Sequence, residues 1–281
     1  MRRGNPVARW VGIGFILLWS LIPIYWAVNT SLQRDVDAGA RPANYVPPHP
    51  TLHNYASLLG IGGVASDLTS QIRRSILNIF VECGAATILT VAVAVLAAYA
   101  FARMTFRFGR VLFYAVLVTM AFPAYTTLIP LYRIMTDLGL VNTYAGIVLV
   151  YISGFLPLAT WILYNYFSSL PRSLEEAGLC DGASRLQVLW RIVLPLARPG
   201  VISTTIITFL AAWAQFLFPL VLSSDSSTQP LTVVITSLQA RHTIPVTLLD
   251  AAGVLAIAVP ALIALALNRY IVSGLLTGSV K

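Results

Sequence analysis

Residues 175–195 read EEAGLCDGASRLQVLWRIVLP, and they interrupt a chain that is otherwise apolar enough to enter a bilayer. Of the 281 residues, 58% are hydrophobic and only 10% are charged. Soluble domains usually carry about 25% charged residues, so this deficit places the chain among membrane proteins. The charged stretch is therefore the feature of the sequence that needs an explanation.

Six apolar runs surround the stretch, and each is long enough to cross about 30 Å of hydrocarbon as a helix. We predict an all-α integral membrane protein in which residues 1–281 form one transmembrane domain. The predicted spans cover residues 10–28, 76–101, 111–133, 144–166, 200–222 and 251–270. The outer loop 30–75 contains several proline and glycine residues, which predict an irregular cap with one short helix. Residues 171–199, which contain the quoted stretch, form the second long connection and are called the charged loop below.

The distribution of basic residues predicts the orientation of the chain. Six spans place both termini on the same side as the charged loop, and most of the 18 basic residues fall on that side. Because cytoplasmic loops carry an excess of arginine and lysine, we predict that this side is cytoplasmic. The basic residues are scattered singly between apolar runs, so the net charge of +8 is not evidence for a nucleic-acid partner.

The charged loop itself encodes two short helices. Ser173 with Glu176, and Ser184 with Gln187, have the spacing of capping boxes. The glycine of Asp181-Gly182 predicts that the first helix ends there in the left-handed conformation. In the second helix, residues spaced i, i+3, i+4 and i+7 predict one apolar stripe. The members of this stripe are Leu186, Leu189, Trp190 and Val193.

Two such short helices are unstable alone in water, so they must pack on something else. The spans, the surface of the bilayer and a partner protein are the three choices. An amphipathic loop lying on the headgroups and a protein docking surface both stay open at this point. The acidic residues Glu175, Glu176 and Asp181 favour docking, because an anionic leaflet repels them.

The spacing of the stretch resembles the EAA motif of ABC importer permeases, E-A-A-x3-G-x9-I-x-L-P. Glu176-Ala177, Gly182, Ile192 and Leu194-Pro195 match it, and Gly178 stands where the family has its second alanine. The segments AYAFAR at 98–103, FRF at 106–108, IPLY at 129–132 and SGLLTGSVK at 273–281 are similar to the carbohydrate-uptake, maltose-type branch. The resemblance thus covers nearly the whole chain. Trp213-Ala214 departs from a tryptophan-asparagine pair of that branch, so no sugar contact is carried over from that asparagine.

The resemblance implies the type I importer permease fold and inward transport of a sugar or oligosaccharide by alternating access in the plasma (inner) membrane of a prokaryote. It implies three partners, namely a second six-span permease, an ABC ATPase dimer and an external substrate-binding protein or lipoprotein. The charged loop would couple to the ATPase. The residues implied in that coupling are Glu175, Glu176, Ala177, Gly178, Asp181, Gly182, Leu189, Ile192, Leu194 and Pro195, with Gly278 and Lys281 of the C-terminal tail reaching toward the same partner.

ATP hydrolysis is expected from the partner. A P-loop needs a lysine after a glycine-rich turn, and the sole lysine here is Lys281. ATP and Mg²⁺ are therefore expected on the ATPase, and we expect no cofactor, metal or catalytic residue in this chain. The histidines His49, His53 and His242 all fall in predicted outer loops, which makes an integral membrane enzyme the least favoured alternative.

Polar residues inside apolar spans mark the candidate substrate path, because their burial is costly unless they are paired or line water. The candidates are Asn78, Glu82, Tyr125, Thr126 and Gln215. For Glu82, hydration near the outer headgroups or pairing with Arg73 or Arg74 is an equal alternative. For Gln215, a hydrogen bond between helices is an equal alternative. No arginine lies deep in a predicted span, so a sugar is favoured over glycerol-3-phosphate or a glycerophosphodiester.

Overall fold

The computed structural model describes residues 6–61, 67–241, 244–268 and 270, and within these ranges every regular element is helical. The helices in chain order are α1 (Pro6–Ser31), α2 (Asp35–Ala38), α3 (His53–Leu59), α4 (Asp67–Arg103), α5 (Gly109–Val118), α6 (Ala124–Asp137), α7 (Tyr144–Ser169), α8 (Arg172–Cys180), α9 (Arg185–Val188), α10 (Leu194–Leu196), α11 (Arg198–Trp213), α12 (Leu217–Leu222), α13 (Leu231–Gln239) and α14 (Val246–Ala266).

Helices α1, α4, α7 and α14 are long and apolar enough to cross a membrane. Two bent helix pairs in the described residues pass the same test, which gives up to six spans. The prediction of an all-α protein with several membrane spans is confirmed. The chain divides into two compact units, one of Met1–Arg74 with Leu231–Val259 and one of Ser75–Pro230 with Pro260–Lys281.

In the first unit, the segment that follows α1 contains two short helices, α2 and α3, where the sequence predicted one. The side-chain amide of Asn54 donates to the carbonyl oxygens of Ser31 at 2.8 Å and Gln33 at 2.9 Å. Arg34 Nε donates to a carboxylate oxygen of Asp37 at 2.8 Å, and this hydrogen bond holds the pKa of Asp37 below its ordinary value. The single side chain of Asn54 thus satisfies the last carbonyl oxygen of α1 and one just beyond it.

In the second unit, the apolar run predicted as a span at 111–133 folds as two helices. After α5, residues Thr119–Ala121 form a 3₁₀ turn, and α6 then leaves at an angle of 105°. Phe122 takes an extended conformation with ψ 123°, because the ring of Pro123 disfavours the helical conformation in the residue before it. The predicted run 200–222 is likewise interrupted between α11 and α12.

The apolar core of the second unit joins α4, α7 and the charged loop. Its buried members are Val91, Ala94, Val95, Ala98 and Tyr99 of α4, Ala159, Leu163 and Phe167 of α7, and Val188, Leu189, Val193 and Ala197 of the charged loop. Burial of this surface gives the short helices of the loop the stability that they lack alone. The loop is therefore anchored in the same core as two membrane-spanning helices.

Candidate functional site

The charged loop folds as α8, a tight turn, and one continuous helical segment made of α9, the π-helix Leu189–Val193 and α10. The second predicted capping box is confirmed, since the Ser184 backbone N–H donates to Gln187 Oε1 at 2.7 Å and the Gln187 N–H donates to Ser184 Oγ at 3.3 Å. The first predicted box is wrong. Helix α8 begins at Arg172 directly after Pro171, so Ser173 already lies inside it.

Gly182 closes α8 as predicted. Its φ of +84° is in the left-handed region, which glycine enters without steric cost. The N–H of Ala183 then donates back to the carbonyl oxygen of Gly178 at 3.0 Å. This pattern satisfies a carbonyl at the helix end and reverses the chain toward α9.

The predicted apolar stripe of the second helix is partly wrong. Leu189 and Val193 are buried, but Leu186 and Trp190 are 58% and 59% exposed. The π-helical turn explains the difference. A helix with i to i+5 hydrogen bonds turns by a smaller angle per residue about its axis than an α-helix does. The buried face therefore includes Val188, and Leu186 and Trp190 project away from the core.

The charged loop consequently has one face in the core and one open face. Of the residues implied in coupling, Glu176, Ala177, Asp181, Gly182 and Pro195 are exposed, Ile192 and Leu194 are half-buried, and Glu175, Gly178 and Leu189 are buried. We define the open face by Glu176, Leu179, Leu186 and Trp190. It combines three large exposed apolar side chains with the charged Glu176, a composition typical of protein interaction sites.

Glu175 is held inside the fold by an arginine from a membrane-spanning helix. Its carboxylate is buried, with Oε1 2.6 Å from Nε of Arg103 and Oε2 3.5 Å from the hydroxyl of Tyr99. Arg103 Nη2 also donates to the carbonyl oxygen of Leu170 at 2.8 Å. One guanidinium thus ties together the end of α4, the end of α7 and the first half of α8. The sequence offered one signal for this role, a single arginine at the end of an apolar span.

Gly178 is the contact point between α8 and the π-helix. A Cβ atom at this position would lie 2.6 Å from Cδ1 of Ile192. The missing side chain therefore lets α8 approach the second helix closely. Glu175 and Gly178 together position α8, while the residues of the open face are left free to contact a partner.

A cavity of about 390 Å³ lies among the 3₁₀ turn Thr119–Ala121, α6, α7 and the residues where α11 gives way to α12. Its lining contains an amide group, hydroxyl groups, aromatic rings and small residues, and none of the described lining residues is charged. The lining residues are Thr119, Met120, Phe122, Thr127, Leu131, Val150, Tyr151, Ser153, Gly154, Phe155, Pro157, Leu158, Gln215 and Phe218. The volume is within the range of small-molecule sites in proteins, about 300–1,000 Å³.

Among the five predicted path residues, Gln215 is the one that lines this cavity. Asn78 instead accepts a hydrogen bond from the Tyr144 hydroxyl at 2.7 Å and donates to the carbonyl oxygen of Gln229 at 2.9 Å, so it fixes the segment after α12. Glu82 is fully buried, and among the described residues neither of its oxygens has a hydrogen-bond partner.

The remaining predictions fall elsewhere. Tyr125 and Thr126 are exposed and outside the cavity lining, and Thr126 Oγ1 donates to the carbonyl oxygen of Pro123 at 2.8 Å. Thr127, their neighbour in sequence, does line the cavity. Gly278 and Lys281 lie outside the described residues.

Interrupted membrane helices, a cavity between them and a charged helical loop anchored in their core define a membrane transport permease. Residues 90–276 match the family described as "binding-protein-dependent transport system inner membrane component", and the chain belongs to this family. The predicted identity as an importer permease is confirmed.

Relatives named as transport system permeases are similar over almost the full length. The chain is 32% identical to the sulfoquinovosyl glycerol transport system permease protein SmoH of Agrobacterium fabrum, over 99% of this chain and 94% of that protein. It is 35% identical to the trehalose/maltose transport system permease protein MalG of Thermococcus litoralis, over 96% and 95%. A chain in the crystal structure of a bacterial ABC transporter that imports alginate has the same fold, with a TM-score of 0.80, 24% identity and 94% coverage of both chains.

Proposed function

We propose that this chain is one permease subunit of an ATP-driven ABC importer that moves a sugar or oligosaccharide inward. The observation that carries the proposal is the uncharged, amide- and aromatic-lined cavity beside Gln215. Aromatic rings pack on the apolar faces of a sugar, and the amide of Gln215 can donate to and accept from its hydroxyl groups. A phosphorylated cargo would find no cationic side chain in this lining, which disfavours glycerol-3-phosphate and glycerophosphodiesters.

The names of the relatives support the same cargo class. SmoH is named for sulfoquinovosyl glycerol and the Thermococcus MalG for trehalose and maltose. An import system that depends on a binding protein receives its cargo from that external partner. One six-span subunit offers only half of the wall that a sugar-sized translocation path needs. We therefore infer that a second six-span permease supplies the other half.

In the proposed mechanism, the open face of the charged loop docks on a separate ATPase dimer in the cytoplasm. ATP and Mg²⁺ bind to that ATPase, and its closure pushes on α8 and the π-helix. The core shared with α4 and α7 passes this movement to the spans, and the cavity is exposed alternately to the two sides. The N- and C-termini then lie on the cytoplasmic side, in agreement with the distribution of basic residues.

The proposal is tested with the four kinds of subunit reconstituted in proteoliposomes. We expect ATP-dependent accumulation of a labelled oligosaccharide from a panel that includes trehalose and maltose, and no accumulation of labelled glycerol-3-phosphate. Accumulation of glycerol-3-phosphate, with no accumulation of any sugar in the panel, would overturn the cargo assignment. Uptake that proceeds at the same rate without the ATPase would overturn the mechanism.

A further inference from the structure

A second, larger cavity of about 620 Å³ lies near the C-terminal end of α7, where α4 ends and α5 begins. It is lined by residues 104–106 of the connection between these two helices and by residues of α4, α5, α7 and the start of α8. The residues that decide its chemistry are Arg103, Arg110, Arg172, Trp161, Tyr114 and Asn165. Unlike the described lining of the cavity beside Gln215, the lining of this one includes three arginines.

Two of the three arginines are uncommitted. Arg103 is bound to Glu175 and to the carbonyl oxygen of Leu170. In the described part of the chain, Arg110 and Arg172 have neither a carboxylate nor a hydrogen-bond partner, and both are exposed. Two unpaired guanidiniums at one cavity bind an anion with several oxygen acceptors, such as a phosphate or phosphodiester.

The aromatic residues of the cavity indicate that this anion lies in the headgroup region of a bilayer. Trp161 and Tyr114 line the cavity and are 42% and 59% exposed, although each belongs to an apolar helix. Tryptophan and tyrosine favour the depth of the headgroups, because their rings are apolar and their N–H and O–H groups need polar partners. The cavity therefore opens where the acyl chains of a lipid can lie along α5 and its headgroup can reach the arginines.

We propose that this cavity binds the phosphodiester headgroup of an anionic phospholipid, with Arg110 and Arg172 as its cationic ligands. Basic pockets between membrane helices on the cytoplasmic side are known to suit such headgroups. The assignment to the cytoplasmic leaflet rests on the orientation given under the proposed function. Binding itself needs neither the ATPase nor transport, so its failure would leave the transport proposal intact.

The test uses the purified full-length chain in lipid nanodiscs made mainly of phosphatidylcholine. Brominated phosphatidylglycerol, or brominated phosphatidylcholine in a parallel sample, is the minor component and quenches tryptophan fluorescence on contact. The signal of Trp161 is the difference between the wild type and the W161F variant. We expect the brominated phosphatidylglycerol to quench Trp161 at a much lower mole fraction than the brominated phosphatidylcholine.

The variant R110Q/R172Q removes both free guanidiniums. Each arginine near an anionic lipid is expected to contribute about a fivefold preference, so the double variant should lose most of the selectivity for phosphatidylglycerol. The variant R110K/R172K keeps the charges and should retain it, which separates loss of charge from loss of folding. R191Q removes an exposed arginine of the charged loop outside the cavity and should have no effect.

Four outcomes would overturn the proposal. Equal quenching by the two brominated lipids shows that the cavity does not select an anionic headgroup. Relief of quenching by millimolar inorganic phosphate assigns the site to a soluble anion, and relief by maltose assigns the cavity to the sugar path. An R191Q variant that loses selectivity as completely as R110Q/R172Q shows a general charge effect.

Discussion

Nε of Arg103 lies 2.6 Å from Oε1 of Glu175, and this buried contact joins the last residue of a membrane-spanning helix to the helix that begins the charged loop. Arg103 also holds the chain at Leu170, where α7 has just ended. A movement imposed on α8 is therefore transmitted to α4 and α7 through one guanidinium and does not depend on the apolar core alone.

Removing one partner of this pair should destabilise the chain strongly. R103M or E175L alone leaves an uncompensated buried charge, and we expect each to lower the free energy of unfolding by about 3–5 kcal/mol. The double variant R103M/E175L leaves no such charge, so it should be more stable than either single variant. Thermal unfolding in detergent measures all three. Additive losses in the double variant would show that the two side chains do not act as a pair.

The same double variant separates stability from coupling. It should assemble with the ATPase but give less transport per ATP hydrolysed, because the contacts of Arg103 that link α8 to α4 and to the end of α7 are lost. Transport and hydrolysis are measured together in proteoliposomes. An unchanged ratio of transport to hydrolysis would contradict the role of the pair in transmission.

The open face should be required for ATPase docking and dispensable for folding. Leu186 and Trp190 are exposed, so L186S/W190S should leave thermal stability within about 0.5 kcal/mol of the wild type. Co-purification with the ATPase should nevertheless fall at least tenfold, since tryptophan is among the residues that contribute most to binding at protein interfaces. A suitable control is L138S, which changes an equally exposed leucine at the end of α6. Normal recovery of ATPase with L186S/W190S would contradict the assignment of this face.

Gly178 should be sensitive to an added methyl group only while Ile192 keeps its Cδ1 atom. G178A places a Cβ 2.6 Å from that atom, and the resulting overpacking should cost about 1–3 kcal/mol. I192V removes the obstructing atom, so G178A/I192V should recover much of this loss. A double-mutant cycle on thermal stability measures the coupling. If the cycle gives no coupling energy between G178A and I192V, then α8 and the π-helix can move apart at this point with little cost.

Gly200 should tolerate substitution less well than Gly178. A Cβ there would lie 2.4 Å from Cγ of the Tyr166 ring, and a packed aromatic ring adjusts less readily than the end of an isoleucine side chain. We expect G200A to lower the free energy of unfolding by about 3 kcal/mol, at the upper end of overpacking effects. A Cβ added at Gly154 of α7 would meet no atom within 4 Å, so G154A is the matched control. Equal stability of the two variants would contradict a close approach of α7 and α11.

Gln215 should affect transport without affecting assembly. Q215L retains the side-chain volume but removes both hydrogen-bonding groups from the cavity wall, so we expect at least a tenfold fall in sugar uptake per ATPase complex. T126V changes an exposed residue of the same predicted set that lies outside the cavity, and uptake should stay near the wild-type rate. Equal uptake by Q215L and wild type would remove Gln215 from the substrate path.

The sequence by itself determined the features that depend on local pattern. Hydropathy identified the membrane class and the helical runs, because a bilayer imposes length and composition on each span separately. The cap Ser184–Gln187 and the left-handed Gly182 were predicted because both are made by residues within a few positions of each other. The spacing of the EAA-like stretch likewise identified the class of transporter, since the motif lies within about twenty consecutive residues.

Tertiary structure decided which face of each element is used. No local pattern shows that Arg103 pairs with Glu175, that the π-turn exposes Trp190, or that Gln215 faces a cavity while Asn78 binds a backbone carbonyl. These outcomes depend on which helices become neighbours, and in a chain this apolar almost every helix face is hydrophobic enough to be buried. Only packing between segments distant in sequence therefore distinguishes the faces that form the core from those that remain open to cargo, lipid and partner.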